Sequence, residues 1–364
     1  MNTLIINRED LTHNINAIKN EVDMDKYTLI GVVKKNGYGL GLKEYSNFLI
    51  NNGIKILAVA TVEEAINLRI INDKIDILNM SSTSLKEELE ELIDNNIIIT
   101  IGSKECAKIV NEIAKNGKQI RAHIKVDTGM GRYGFMEENE LVNSIKNLDE
   151  KVKVEGIFSH FAIAYYKNNK YTINQYNRFM SFINALEKEN INITLKHICN
   201  SAAFINYPEM RLNCARIGSA FLGKIEAENN LNLREIGILK SNVTELKILP
   251  KDFYVGYLNT YKTKKQTEAA IISIGYGNGY NMIMKNDMFR FVDKLRNLKN
   301  ILFSLLKKQQ IQVTINGKSY PIIGRVGMFH ITVDVTGGNV KIGDEVLLKS
   351  NPLYIDSAIR REYV

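Results

Sequence analysis

Lys34 closes an apolar run and opens a glycine-rich turn, Leu29-Ile-Gly-Val-Val-Lys34-Lys35-Asn36-Gly37-Tyr38-Gly39-Leu40-Gly41. Burying an unpaired ammonium is expensive, so an amine at the end of a buried strand gives up its proton more readily than one in water. The free amine is a nucleophile that condenses with carbonyl groups. A lone lysine at a strand end can equally reach out to solvent, so its company decides the reading. That company is Asp127-Thr-Gly-Met-Gly-Arg132, His160 after Phe158-Ser, Asn200-Ser201-Ala202, and Arg216-Ile-Gly218. Taken singly, His160 fits a satisfied core histidine and Arg216 a structural ion pair. Together, an imine-forming lysine, a serine near glycine N–H groups and an arginine suit a phosphorylated aldehyde, with pyridoxal 5'-phosphate (PLP) as the candidate cofactor. No metal set is expected: His123, His197 and His330 are scattered, and HExxH, GxSxG and Walker patterns do not occur.

These residues need elements to position them. From about residue 27 to 223, short β-branched runs alternate with helix-periodic stretches. Strands are predicted over Tyr27–Lys34, Ile56–Thr61, Ile75–Ser81, Ile97–Gly102, Ile120–Asp127, Val152–His160, Leu195–Ser201 and Cys214–Leu222. Helices are predicted over Val62–Asn72, Leu85–Asn95, Lys104–Asn116 and Tyr171–Asn190. Eight βα-like units in roughly 200 residues match a TIM barrel, whose active sites form at the C-terminal ends of the strands. A doubly wound sheet would want GxGxxG after its first strand, and the turn after Lys34 lacks it. The polar residues singled out above sit at those strand ends.

After about residue 235 the helices thin out. Ile236–Leu249, Thr267–Ile274, Gln312–Ile315, Tyr320–Val326, His330–Val335 and Glu345–Lys349 read as strands of a mostly β domain. Residues 287–308 interrupt it with apolar side chains at helical spacing, an inserted amphipathic helix suited to packing or a subunit contact. The predicted organisation is a (β/α)8 TIM barrel over residues 1–235 and a β-domain over 236–364, the first few residues being candidates for either.

Composition bounds the setting. Apolar residues make up 45% and charged residues 24% of the 364 positions, an ordinary globular balance. The net charge of +8 is spread without basic blocks, which argues against a nucleic-acid partner. No apolar run suits a membrane span or a signal peptide. Cys106, Cys199 and Cys214 lack paired spacing and are expected as free thiols in a reducing cytoplasm.

Val32-Val-Lys34-Lys-Asn-Gly-Tyr38-Gly-Leu-Gly41 resembles the cofactor-lysine signature of the alanine racemases. Further motifs follow in order: Lys125-Val-Asp-Thr-Gly-Met-Gly-Arg132, Ser159-His160-Phe-Ala, Cys199-Asn-Ser201, Arg216-Ile-Gly218, Val255-Gly-Tyr257, Ile274-Gly-Tyr276-Gly-Asn-Gly-Tyr280 and Gly324-Arg-Val-Gly-Met328. The resemblance spans nearly the whole chain and implies PLP-dependent interconversion of L- and D-alanine, supplying D-alanine for peptidoglycan. It implies that Lys34 binds PLP as an imine and acts as one base. Tyr276, contributed across a homodimer interface, is then the other. It further implies Arg216 at the pyridine nitrogen with His160 beside it. Tyr38, Asn200, Ser201, Gly218, Ser219 and Tyr354 then surround the cofactor, Tyr354 as the second phosphate tyrosine. Arg132 and the Met328 N–H bind the substrate carboxylate, and Lys125 matches a lysine often carbamylated in the family.

The chain departs from that pattern in places. Gly327-Met328-Phe329-His330 stands where the family has Cys/Ser-Met-Asp, Asn278 replaces an aspartate, and Leu40 replaces a common histidine. Two lost carboxylates leave open a racemase of serine or a longer amino acid. A PLP-binding protein without turnover is a further alternative, against which Tyr276 argues. A PLP decarboxylase would want glutamate where Arg216 stands.

Overall fold

A computed structural model describes residues 2–225, 230–282, 291–306 and 310–364. It divides into two compact units. One is Arg8–Ile236; the other joins the N-terminal segment to Gly237–Val364.

The first strand, β1 (Thr3–Ile6), belongs to the second unit; the next eight build the first. These are β2 (Thr28–Val32), β3 (Ile56–Val59), β4 (Asp76–Ser82), β5 (Ile98–Ile101), β6 (Ile120–Lys125), β7 (Val152–Phe158), β8 (Leu195–His197) and β9 (Cys214–Ile217). Every pairing is parallel, in the order β8-β7-β6-β5-β4-β3-β2-β9. The Arg216 N–H donates to the Cys199 carbonyl, bringing β9 to the chain just beyond β8, so the sheet is a nearly closed barrel. Helices Leu42–Asn51, Val62–Ile71, Lys86–Asp94, Lys104–Lys115, Glu138–Lys146 and Lys170–Lys188 alternate with the strands. Caps fix several of their starts: the side chains of Thr61, Ser103 and Asn169 accept N–H groups from the first turns.

Side chains alternate along a strand, so every second residue faces the barrel interior. On one side the interior is apolar, with Ile30, Val32, Ile56, Ala58, Leu78, Ile98 and Cys214 in one buried cluster. The same parity on β6 to β9 supplies His123, Lys125, Phe158, His197 and Arg216, all buried. Strand ends fall short of the predicted ones where the chemistry begins. Val33 leaves the sheet before Lys34, β8 stops at His197 rather than Ser201, and β9 stops at Ile217 before a 3-10 turn, Ser219–Leu222. Glycines and the polar side chains that bond their own backbone end these strands.

The second unit is an eight-stranded, mostly antiparallel sheet with the order Thr267–Ile272, Ile331–Asp334, Lys318–Ile323, Gln312–Ile315, Glu345–Lys349, Ile238–Leu249, β1, Arg360–Tyr363. Ile238–Leu249 bulges between Val243 and Glu245 and also pairs with Thr267–Ile272. The N-terminal strand pairs antiparallel with Ile238–Leu249 and parallel with Arg360–Tyr363, two edges that the local pattern did not predict. The inserted helix runs Phe291–Leu306; the rest of the predicted 287–308 segment lies outside the described residues. Phe291, Leu295, Leu298 and Leu302 lie exposed along it.

Candidate active site

Lys34 opens a single turn of unusual hand. Lys35, Asn36, Gly37 and Tyr38 all have positive φ, between 53° and 62°. Left-handed backbone costs a non-glycine residue about 1–2 kcal/mol, so Lys35, Asn36 and Tyr38 together need external support. The support is visible: the Lys35 N–H donates to the Glu64 carboxylate, and the Asn36 side chain accepts from Leu42 N at 2.8 Å. Gly39 and Gly41 close the turn at φ 85° and 96°. Burial and the positive charges of Arg132 and Arg216 lower the proton affinity of Lys34, against the pull of Glu64.

The same turn aims Tyr38 at Gly218. A Cβ at Gly218 would sit 2.5 Å from the Tyr38 hydroxyl oxygen, so only glycine leaves that space. The N–H groups of Gly218 and Ala220 both donate to Ser201 Oγ, at 3.1 and 3.2 Å. Ser201 starts the short helix Ser201–Asn206, and the Asn200 side chain caps it by accepting from Ala203 N at 3.0 Å. Tyr38, Ser201, Gly218 and neighbouring Ser219 thus form a cluster of hydroxyl and backbone donors. Burial pushes the Tyr38 phenol up to about 12, so it stays a neutral donor.

Arg216 is 3% exposed and lies inside the barrel. Its Nη1 donates to His197 Nδ1 at 2.7 Å and to the His197 carbonyl at 3.1 Å. Its Nη2 donates to the Ser159 carbonyl at 2.7 Å and meets His160 Nδ1 at 3.2 Å. Among the described residues these contacts fall on the two terminal nitrogens, leaving the Nε–H for another acceptor. Burial lowers the guanidinium to about 10, which leaves it charged at neutral pH. That charge, after burial itself, drives the proton affinities of His160 and His197 well down.

Lys125 is also buried, its Nζ 4.4 Å from the Phe158 ring centroid and Arg216 Cζ 5.0 Å from the same ring. Burial, Arg216 and Arg132 depress its proton affinity strongly. The Asp127 carboxylate accepts the N–H groups of Gly129, Met130 and Arg132 at 2.7–2.8 Å and shapes the loop, while Arg132 itself is exposed.

In the second unit, Tyr276, Met328 and Tyr354 come together. The Tyr276 N–H donates to the Gly327 carbonyl at 3.0 Å and Gly277 N to the Met328 carbonyl at 2.8 Å. The Asn278 side chain accepts from Gly275 N at 3.1 Å and caps the Tyr276 turn, so the amide does a local structural job at the position where the family has aspartate. A Cβ at Gly279 would collide with the Tyr354 carbonyl. Tyr276 is 45% exposed.

In the sequence His123 and His197 stand only as scattered histidines. Strand parity carries the missed signal: Arg121 and His123 share the parity of Lys125 along β6. Lys34, the Tyr38–Ser201–Gly218 cluster and the Arg216 Nε–H are the groups that an aldehyde, a phosphate and a pyridine nitrogen require, so the barrel residues fit PLP.

The family model for the alanine racemase N-terminal domain matches residues 6–225, and that for the C-terminal domain matches residues 237–358. The chain is 36% identical over 346 residues to an alanine racemase of Methanococcus maripaludis, covering 91% of this chain and 86% of the relative. It is 35% identical over 362 residues to one of Clostridium perfringens, covering 97% and 87%. The solved alanine racemase of Clostridium difficile 630 superposes with a TM-score of 0.87 at 30% identity, covering all of this chain and 95% of that one. With both domains matched in order and relatives of this identity aligned along nearly its whole length, the chain belongs to the alanine racemase family.

Proposed function

We propose that this chain interconverts L-alanine and D-alanine with PLP as cofactor, using two bases on opposite faces of the substrate α-carbon. The observation that carries the reading is the gathering of Lys34, with its lowered proton affinity, the Tyr38–Ser201–Gly218 cluster and Arg216 within one barrel. When bound, PLP supplies an electron sink that acidifies the α-carbon of an attached amino acid. Lys34 would hold the cofactor through its amine. Tyr38, Ser201 and the backbone at Gly218 and Ser219 would hold its phosphate with Tyr354, while Asn200 fixes the turn that carries Ser201.

Racemisation needs a proton removed from one face and returned to the other, so two bases suit it. Lys34 serves one face and the Tyr276 phenol the other. His160 Nδ1 accepts from Arg216, so its neutral ring carries the hydrogen on Nε2 and can donate to the Tyr276 oxygen. With PLP bound, Arg216 would offer its Nε–H to the ring nitrogen and, being charged, would disfavour a proton there. This tempers the electron sink and discourages transamination. Arg132 and the Met328 N–H orient the substrate carboxylate. A carbamate on Lys125 would turn repulsion of Arg132 into attraction; a buried amine with depressed proton affinity suits that reaction.

Tyr276 is read as the partner subunit's contribution to each site of a homodimer. In support, Tyr257, Leu258, Met328 and Phe329 are exposed in the same unit as Tyr276, an apolar surface that association would cover. The product role is D-alanine for peptidoglycan in the cytoplasm. Among the described residues, no helix is long and apolar enough to cross a membrane. The replaced segment Gly327–His330 favours a second reading, turnover of serine or a longer amino acid. Incubating PLP-loaded protein with a panel of L-amino acids and measuring D-enantiomers by chiral chromatography decides between them. Alanine as the best substrate is expected. A different best substrate supports the second reading, and no turnover leaves a PLP-binding protein.

A further inference from the structure

The barrel interior holds a hydrogen-bonded row that the reaction as described does not use. Beyond Arg216 and His197 lies His123, its Nδ1 3.0 Å from His197 Nε2. Both imidazoles are fully buried. We propose that Arg216, His197 and His123 form a one-way donor chain, and that His123 is a positioning residue: by accepting the His197 Nε2–H it holds that ring where its Nδ1 meets Arg216. The proposal rests on the reading of Arg216 as the group facing the cofactor ring.

The direction of the chain follows from donor chemistry alone. A guanidinium nitrogen only donates, so His197 Nδ1, 2.7 Å from Arg216 Nη1, must offer its lone pair. A neutral His197 then carries its hydrogen on Nε2 and donates it to His123 Nδ1. His123 in turn must be neutral with its hydrogen on Nε2. Every other assignment sets an N–H against an N–H or a lone pair against a lone pair. The groups around the row are Arg216, Lys125, Arg121, Glu155 and Asp76, and burial outweighs the attraction of the two carboxylates in keeping His123 neutral.

The surroundings hold both rings for this purpose. Phe158 stacks on His197 with centroids 4.9 Å apart and planes 6° from parallel. His123 meets His197 edge-on at 67°. On β7 a glycine faces His123: a Cβ at Gly156 would lie 2.6 Å from His123 Cε1 and Nδ1. The β6–β7 register also shifts between Ala122 and His123. The chain ends at His123 Nε2, a buried nitrogen without a hydrogen-bond partner among the described residues. A buried unpaired donor and a glycine inside a strand are both costly. An apolar residue at 123 would only move the orphan to His197 Nε2, whose buried N–H would then lack an acceptor and release the ring from its place against Arg216.

The test begins with the PLP-loaded wild-type protein, labelled with 15N-histidine. Among its five histidines, His123 and His197 are expected to show the neutral, Nε2-protonated pattern with and without PLP. An Nδ1-protonated or imidazolium His197 overturns the proposal. Two variants extend it. His123→Gln places an amide oxygen where it can accept from His197 and is expected to keep both the His197 signal and the ratio of transamination to racemisation. His123→Leu, which leaves the His197 Nε2–H without an acceptor, is expected to shift and broaden the His197 signals and raise that ratio by about tenfold. An unchanged signal and an unchanged ratio in the leucine variant sink the idea. Should that variant not fold, the wild-type spectrum still decides. A wild-type protein that binds no PLP would defeat the functional reading while leaving the tautomer result to stand.

Discussion

Burial acts on Lys34 and Arg216 in the same direction with opposite consequences. Lys34 begins near the ordinary lysine value and is brought down toward a free amine. Arg216 begins so high that, even lowered to about 10, it keeps its charge at neutral pH. One residue is thereby made reactive and the other a fixed cation. Lys34→Ala is expected to abolish the visible absorbance of bound PLP together with activity; colour and turnover surviving would refute the site. Tyr276→Phe should retain PLP yet slow proton removal from one enantiomer far more than from the other, measured as solvent deuterium incorporation from each. Arg216→Glu should raise the yield of pyridoxamine phosphate per racemisation event. At this scale the sequence was legible where a residue's type was itself unusual for its place. It was silent on the partner of His123, because strand parity sets which way the histidine faces but gives no sign of the ring it will meet on another strand.

At the scale of elements, the turn from Lys34 to Tyr38 is the part held against backbone preference. Its left-handed residues are tolerated because Glu64, from the helix Val62–Ile71, and the side chain of Asn36 secure it. The glycine-rich spelling announced a turn, but not its hand and not that the strand would end at Val32. Those depend on Glu64, which no local pattern links to Lys34. Gly218 tests the same region by space rather than by strain. Gly218→Ala should push Tyr38 aside and weaken PLP binding by at least tenfold, about 1.4 kcal/mol. Titrating PLP into apoprotein measures this, with the Tm of the apo variant as the check of fold integrity. The Asn278 cap explains why one missing carboxylate need not alter chemistry: an amide oxygen accepts from Gly275 N as a carboxylate would.

For the whole molecule, burial of neutral histidines predicts sensitivity to acid. His123 has a folded-state value near 4 against about 6.5 when unfolded. Below about pH 6.5 the unfolded chain therefore binds the extra proton and the folded one does not, so stability falls as pH drops from 6.5 toward 4. His123→Gln should lose less Tm between pH 7 and pH 5 than the wild type; equal losses would count against a neutral buried ring. Assembly yields to a mixing experiment. If Tyr276 serves the partner's barrel, inactive Lys34→Ala and Tyr276→Phe subunits mixed in equal amounts should recover about one quarter of wild-type activity, since half the dimers carry one intact site of two. No recovery after verified subunit exchange would place Tyr276 in the same chain as the Lys34 it serves.

The sequence by itself determined the alternation of strands and helices, the residues with reactive groups at strand ends, and the family motifs, because these are written in local periodicity and in short contiguous runs. It left β1 and Arg360–Tyr363 unassigned, since two short strands gain their identity only by pairing across more than 350 positions. Only the tertiary structure decided that His123, His197 and Arg216 share one hydrogen-bonded row and that Gly156 exists to admit a ring. It also decided that Glu64 braces the turn after Lys34. Each of these is a relation between strands or loops far apart in the chain, fixed by register and barrel closure, where no single segment holds the information.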